Sequence, residues 1–158
     1  MTKIASFQID HLRLKPGLYV SRKDQFSGAV LTTFDLRFKE PNKEPVIDMP
    51  ALHTLEHLGA TFLRSHSEWA KRVVYFGPMG CRTGFYLILE GDITSREISS
   101  LVIQLMDWVV AFEGEIPGAS PAECGNYSEQ NLNMAKWEAS RYGALLKNAG
   151  EENFNYPA

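Results

Sequence analysis

Apolar and polar positions change period several times along this chain. Over residues 29–38 they alternate: Phe34, Leu36 and Phe38 interleave with Thr33, Asp35 and Arg37. A period of two predicts a half-buried strand, with Asp35 and Arg37 side by side on its outer, solvated face. Residues 73–76 and 85–89 are short apolar runs of strand length. Ile98, Leu101, Val102, Leu105, Val109 and Phe112 instead recur at helical spacing, and Thr94 or Ser95 can cap that helix. Further helices are predicted from about residue 50 into 65–69, where Leu52, Leu55 and Leu58 face the core, and from about 128 to 148. The first 20 residues read as a short polar segment with a Pro16-Gly17 turn. In that segment Ser6 and His11 are no more than an exposed hydroxyl and an exposed imidazole. Strands and helices mix without regular alternation. The expected class is therefore α+β, helices packed on one face of a mainly antiparallel sheet, with residues 1–158 forming one domain.

One helical stretch carries chemistry as well as packing: Pro50-Ala-Leu-His53-Thr-Leu-Glu56-His57-Leu-Gly59. Asp48 can cap it, and Pro50 fits a first helical turn. Residues four apart share a helix face, so the imidazoles of His53 and His57 can converge on one cation. Neutral imidazoles favour zinc, iron(II) or cobalt(II) over magnesium or calcium. Glu56 lies near the same face, and a carboxylate there suits proton transfer beside a metal. The order His-x-x-Glu-His is the inverted zincin pattern. Against this, two histidines at such spacing are about as often surface or satisfied core residues.

Composition narrows the setting. A net charge of −3 offers no electrostatic reason for nucleic acid or an anionic membrane as partner. The first ten residues have no apolar signal core, and no run is long and uncharged enough to span a bilayer. A cytoplasmic protein is expected. There, two cysteines are better explained by metal ligation or catalysis than by a disulfide.

Both cysteines stand in Gly/Pro-rich loops: Cys81 in Gly77-Pro-Met-Gly-Cys-Arg-Thr-Gly84, and Cys124 in residues 113–126. One of them joining His53 and His57 would give a three-ligand site with an open position, the arrangement of a catalytic metal. Both joining would close a structural Cys₂His₂ site. Arg82 and the loop N–H groups can stabilise a thiolate at Cys81, which favours Cys81 as the reactive thiol and Cys124 as the ligand.

Taken together, these motifs resemble the S-ribosylhomocysteine lyase family, which makes the precursor of autoinducer-2. The resemblance rests on His53-Thr-Leu-Glu56-His57, Gly77-Pro-Met-Gly-Cys81-Arg-Thr-Gly-Phe-Tyr86 and Glu123-Cys124-Gly-Asn-Tyr127. Asp35-Leu-Arg37-Phe with Pro41-Asn42, and Ser6-Phe with Asp10-His11, match as well. The motifs arrive in family order and cover the chain to about residue 132.

The resemblance implies a homodimer with two active sites at the subunit interface. It implies a metal on His53, His57 and Cys124, natively iron(II), replaceable by zinc or cobalt. Cys81 and Glu56 become the acid/base pair. Ser6, His11 and Arg37 hold the ribose, with Asp35 and Arg64 near the homocysteine end. The implied reaction moves the carbonyl from C1 to C3, then expels homocysteine by β-elimination, leaving 4,5-dihydroxy-2,3-pentanedione. It serves signalling or the methyl cycle alike.

Two positions depart from the family pattern. Val73-Val-Tyr-Phe76 lacks the acidic residue often found before the cysteine loop, leaving backbone groups for the substrate ammonium. Gln130 stands where many relatives have histidine. The rival readings are an inverzincin-type metallopeptidase, with Glu138 as formal third ligand, and a non-catalytic domain with a closed Cys₂His₂ zinc site.

Overall fold

The computed structural model describes residues 1–158. Four strands form one antiparallel sheet: β1 (Gly17–Phe26), β2 (Ala29–Arg37), β3 (Val73–Pro78) and β4 (Gly84–Glu90), in the order β1-β2-β4-β3. A short helix, α1 (Ala5–Gln8), precedes the sheet. Helices α2 (Met49–Ser65), α3 (Ser95–Ala111) and α4 (Leu132–Lys147) supply the rest of the core. None of them is long and apolar enough to cross a membrane.

The alternation expected for β2 places its apolar side chains as anticipated. Phe34, Leu36 and Phe38 are buried with Leu87 and Phe85 of β4, against Leu55 and Leu58 of α2 and the stripe Ile98, Leu101, Val102, Leu105 and Val109 of α3. Burial of this kind is the main favourable contribution to folding. The α3 helix begins at Thr94, whose hydroxyl accepts from the N–H of Glu97, while the Glu97 carboxylate returns a bond to the N–H of Thr94.

Three local expectations are corrected. Residues 17–26 form a strand, whereas residues 17–20 are expected to belong to a short polar segment with a Pro16-Gly17 turn. Its second half, Ser21-Arg-Lys-Asp-Gln25, is polar because β1 is an edge strand paired only with β2. The last helix starts at Leu132, capped by the Asn131 side chain, rather than near 128. Asp48 does occupy the N-cap position of α2, yet its carboxylate makes no capping bond; Pro50 sits in the first turn as expected.

The fourth correction concerns the other face of β2. Asp35 and Arg37 are not solvated: they are 1% and 3% exposed. Tyr19 and Tyr86 stand opposite Asp35 on the flanking strands, and Tyr156 from the end of the chain stacks on Tyr19 at a centroid distance of 4.6 Å. Side chains from β1, β4 and the last residues therefore roof a polar pair that alternation alone assigns to water.

Candidate active site

Each of the two cysteine loops is held in a defined shape. The loop after β3 turns through Arg82 N–H donating to Met79 O (2.9 Å), with Arg82 itself in the left-handed region at φ 59°. A non-glycine residue in that conformation is uncommon and tends to mark a constrained site. The strand resumes at Gly84, where a Cβ would collide with the carbonyl oxygen of Leu36, so only glycine permits this close crossing with β2. The second loop closes through Glu123 and Cys124 N–H groups, both donating to Ser120 O at 3.0 Å.

His53, His57 and Cys124 converge. Their ligand atoms lie within 4.8 Å of one another, on three half-buried residues. The ring of His57 bonds Pro117 O through Nδ1 at 2.7 Å, and His53 Nδ1 bonds Glu129 O at 2.9 Å. A carbonyl only accepts, so both Nδ1 atoms carry the proton and both Nε2 atoms carry a lone pair. Those two lone pairs face each other at 3.0 Å, with the Cys124 sulfur 3.4 Å from His53 Nε2. Two nitrogen lone pairs facing each other at that distance repel, and a cation between them relieves the repulsion. The donor set, two imidazoles and a thiol, is that of zinc or a similar transition metal, and the cluster can bind one such ion. Gly118 contributes by what it lacks: at φ +73° a Cβ there would press on the His57 ring.

Glu56 shares a cleft of about 230 Å³ with His53, Pro78, Asn126 and Glu129, and lines a second hollow beside His57 and Pro117. It is half-buried and forms no ion pair, so its carboxylate is available to a bound molecule.

Around Cys81 a second cluster forms. The exposed thiol lies 3.1 Å from Thr83 Oγ1, which accepts from Arg37 Nη1 at 2.7 Å. Arg37 Nη2 donates to Asp35 Oδ2 (2.6 Å), and so does the hydroxyl of Tyr156 (2.8 Å). Burial pushes the Asp35 carboxyl up, while Arg37 and Tyr156 pull it back. Burial also works against the Arg37 cation, yet Asp35 beside it holds the guanidinium above its ordinary pKa. Asp35 Oδ1 and Arg37 Nε are buried without any partner. Buried polar groups are nearly always satisfied, so two orphans in one pair are unusual.

The remaining expected positions are spread out. Ser6 lines a cavity of about 350 Å³ with Ile4, Arg22, Tyr75, Tyr86 and Ile88, on the face of the sheet away from α2. His11 is half-buried, its Nδ1 bonded to Ile9 O at 2.8 Å, and close enough to Asp35 to act on its charge. Arg64 is exposed and donates to the carbonyls of Val73 and Val74. No hydrogen bond within the chain joins Ser6, His11 or Arg64 to the His53–His57–Cys124 cluster.

Both rivals lose their premise. Glu138 is buried in an ion pair with Lys39 at 2.8 Å and is not one of the clustered ligands. Cys81 stands outside the cluster too, so the site is not a closed Cys₂His₂.

Nothing in the sequence alone assigns a part to Thr54, Thr83 or Gln130. Thr54 is fully buried next to His53. It accepts from the N–H of Asn131 (2.9 Å) and donates to Gln130 Oε1 (2.7 Å), while Gln130 Nε2 lies 3.3 Å from His53 Nδ1. Threonine one place after a histidine is too common to have signalled this. The pair ties α2 to the segment that supplies Glu129 O. Thr54→Val, nearly isosteric, releases the segment that carries Glu129 O, the outer partner of His53, and should therefore weaken zinc binding by up to roughly 10-fold, the lower end of the usual effect of disturbing such a partner. Competition with a chromophoric chelator measures it; unchanged affinity would show the tether to be purely structural.

Comparison with known proteins agrees with this geometry. The S-Ribosylhomocysteinase (LuxS) family model matches residues 4–153. The chain is 55% identical to an S-ribosylhomocysteine lyase of Clostridium acetobutylicum over 157 residues, covering 99% of each. It is 56% identical to that of Borreliella burgdorferi, over 99% of this chain and all of the relative. With that of Desulfotalea psychrophila it shares 55% identity over the full length of both. A metal-ready His/His/Cys cluster, a separate cysteine loop and full-length similarity converge on one conclusion: the chain belongs to the S-ribosylhomocysteinase (LuxS) family.

Proposed function

We propose that this protein is a metal-dependent carbon–sulfur lyase that cleaves S-ribosylhomocysteine to homocysteine and 4,5-dihydroxy-2,3-pentanedione. The observation that carries the reading is the pairing of an open three-ligand cluster with a carboxylate and a thiol outside it. A peptidase would leave Cys81 without work, and a structural zinc site would not leave a ligand position free.

In this reading His53, His57 and Cys124 hold one divalent ion, iron(II) in the cell, with zinc or cobalt able to replace it. Once bound, the ion supplies Lewis acidity that lowers the cost of charge developing on a neighbouring carbonyl oxygen. The chain's own residues move the protons. Glu56 and Cys81 take a proton from carbon beside the carbonyl and return it to the adjacent carbon, twice, so that the carbonyl migrates from C1 to C3. Removal of a further proton at C4 then allows the C5–sulfur bond to break, and the sulfur leaves with its electron pair. Arg37 and His11, with Ser6, orient the sugar hydroxyls, and Asp35 and Arg64 stand toward the amino-acid end. Arg64 already engages the backbone of Val73 and Val74, the stretch without an acidic side chain. The test is incubation of iron(II)- or cobalt(II)-loaded protein with S-ribosylhomocysteine while following free thiol. Absence of thiol release from fully loaded protein would end this reading.

The working unit in this reading is a homodimer in the cytoplasm, whose reducing conditions keep both thiols free. Ile4, Phe7, Leu12, Val74 and Tyr75 are exposed apolar residues, and Ile4 and Tyr75 also line the Ser6 cavity. An apolar surface with recognition residues among it is what a shared active site would present to its second copy. Mixing inactive His11→Ala with inactive Cys81→Ala subunits should restore part of the activity. No recovery after verified subunit exchange would count against a shared site.

A further inference from the structure

We propose that Thr83 is a positioning residue that donates its hydroxyl proton to the thiolate of Cys81, held in that orientation by Arg37. The inference follows from which atoms can donate. Arg37 has no acceptor, so its 2.7 Å bond to Thr83 Oγ1 obliges the threonine oxygen to accept. The threonine's single O–H is then free to turn toward the only other polar atom bonded to it, Cys81 Sγ at 3.1 Å. The guanidinium cannot rotate away. Its second nitrogen is held by Asp35 at 2.6 Å, and Asp35 is held in turn by the Tyr156 hydroxyl at 2.8 Å. Burial and the Asp35 charge push the Tyr156 phenol well above its ordinary pKa, so it remains a donor.

Tyr156 and Arg37 donate into Asp35 and Arg37 donates into Thr83; once Cys81 is a thiolate, which can only accept, Thr83 donates into sulfur. A hydrogen bond from a neutral hydroxyl favours the charged form of its acceptor. The exposed thiol at the tip of the cysteine loop is thereby coupled to a buried ion pair whose own atoms it does not touch. Other groups face the same region. Tyr86 of β4 and Arg37 of β2 lie close enough for the Cys81 charge to act on them, and His11 acts on Asp35. Arg82, on the loop itself, points its guanidinium toward the carbonyl of Ile47.

The relevance of this contact to turnover rests on the proposed role of Cys81, but the contact can be tested without turnover. Zinc-loaded protein is treated with iodoacetamide across pH 5–10, and the alkylation of Cys81 is followed by peptide mass spectrometry, with Cys124 mapped separately. In Thr83→Val the midpoint of Cys81 alkylation should rise by about one pH unit, because an acceptor with charge loses its donor. Thr83→Ser keeps the hydroxyl and should restore the wild-type midpoint. Thr83→Ala supplies the same comparison should the valine variant not fold, as judged by circular dichroism. An unchanged midpoint in both valine and alanine variants, or an equal rise in the serine variant, would overturn the proposal. Thiol release from S-ribosylhomocysteine reports separately on whether Cys81 is a proton carrier at all.

Discussion

Glu56→Gln is expected to retain its fold and its metal while losing thiol release by roughly 10²- to 10⁴-fold, the usual contribution of a positioned acid or base. Glutamine has nearly the shape of glutamate and can still hydrogen-bond, so substrate should still bind in the cleft that Glu56 shares with His53. What it lacks is a proton that can be given and taken back at neutral pH. Because Glu56 forms no ion pair and no hydrogen bond to a capping or core group, its replacement leaves no orphaned partner behind. Loss of activity can therefore be read as chemistry rather than as unfolding. Stalled protein should accumulate a ketose form of the substrate, and deuterium wash-in from heavy water, compared with thiol release, locates the blocked step. Near wild-type homocysteine release by metal-loaded Glu56→Gln would mean that the helix supplies ligands only.

The second large effect concerns the metal itself. Alanine at His53, His57 or Cys124 should leave purified protein essentially without metal, whereas Cys81→Ala should keep it. The reason is geometric. Only three donor atoms converge, so removing any one leaves two, too few to hold the ion against chelators. Each variant should still fold. Leu52, Leu55 and Leu58 secure α2 from its other face, and α3 and α4 complete the core without help from the cluster. Metal analysis by mass spectrometry, paired with circular dichroism, decides the matter. A Cys81→Ala protein that loses its metal would reverse the roles of the two cysteines.

Much of the fold could be read along the chain because its signals are local. Period two in β2 and period 3.6 in α3 reflect side-chain directions set by the backbone alone, and the Thr94 cap needs only a hydroxyl three residues before a glutamate. Where the structure departs from those local signals, the deciding partner is distant in sequence. The polar half of β1 is a strand because β2 pairs with it, and no periodicity within residues 21–25 announces that. α4 begins at Leu132 because Asn131 is tied to Thr54 of α2, 77 positions away.

The same division holds for the site. By itself the sequence determined that two imidazoles four apart and a carboxylate between them would share a helix face, since helical geometry requires it. It also determined that each cysteine would sit in a loop able to expose a thiol. Local chemistry favours Cys124 over Cys81 as the ligand, but only the tertiary structure brings its sulfur to the histidines, with the carbonyls of Pro117 and Glu129 on either side of it in sequence bonded to His57 and His53. It also decided that Asp35 and Arg37 are buried rather than solvated. Alternation assigns a side chain to one of two faces, but whether the second face meets water depends on what covers it. Here the cover is Tyr19, Tyr86 and Tyr156, drawn from three parts of the chain that meet only once the sheet has formed.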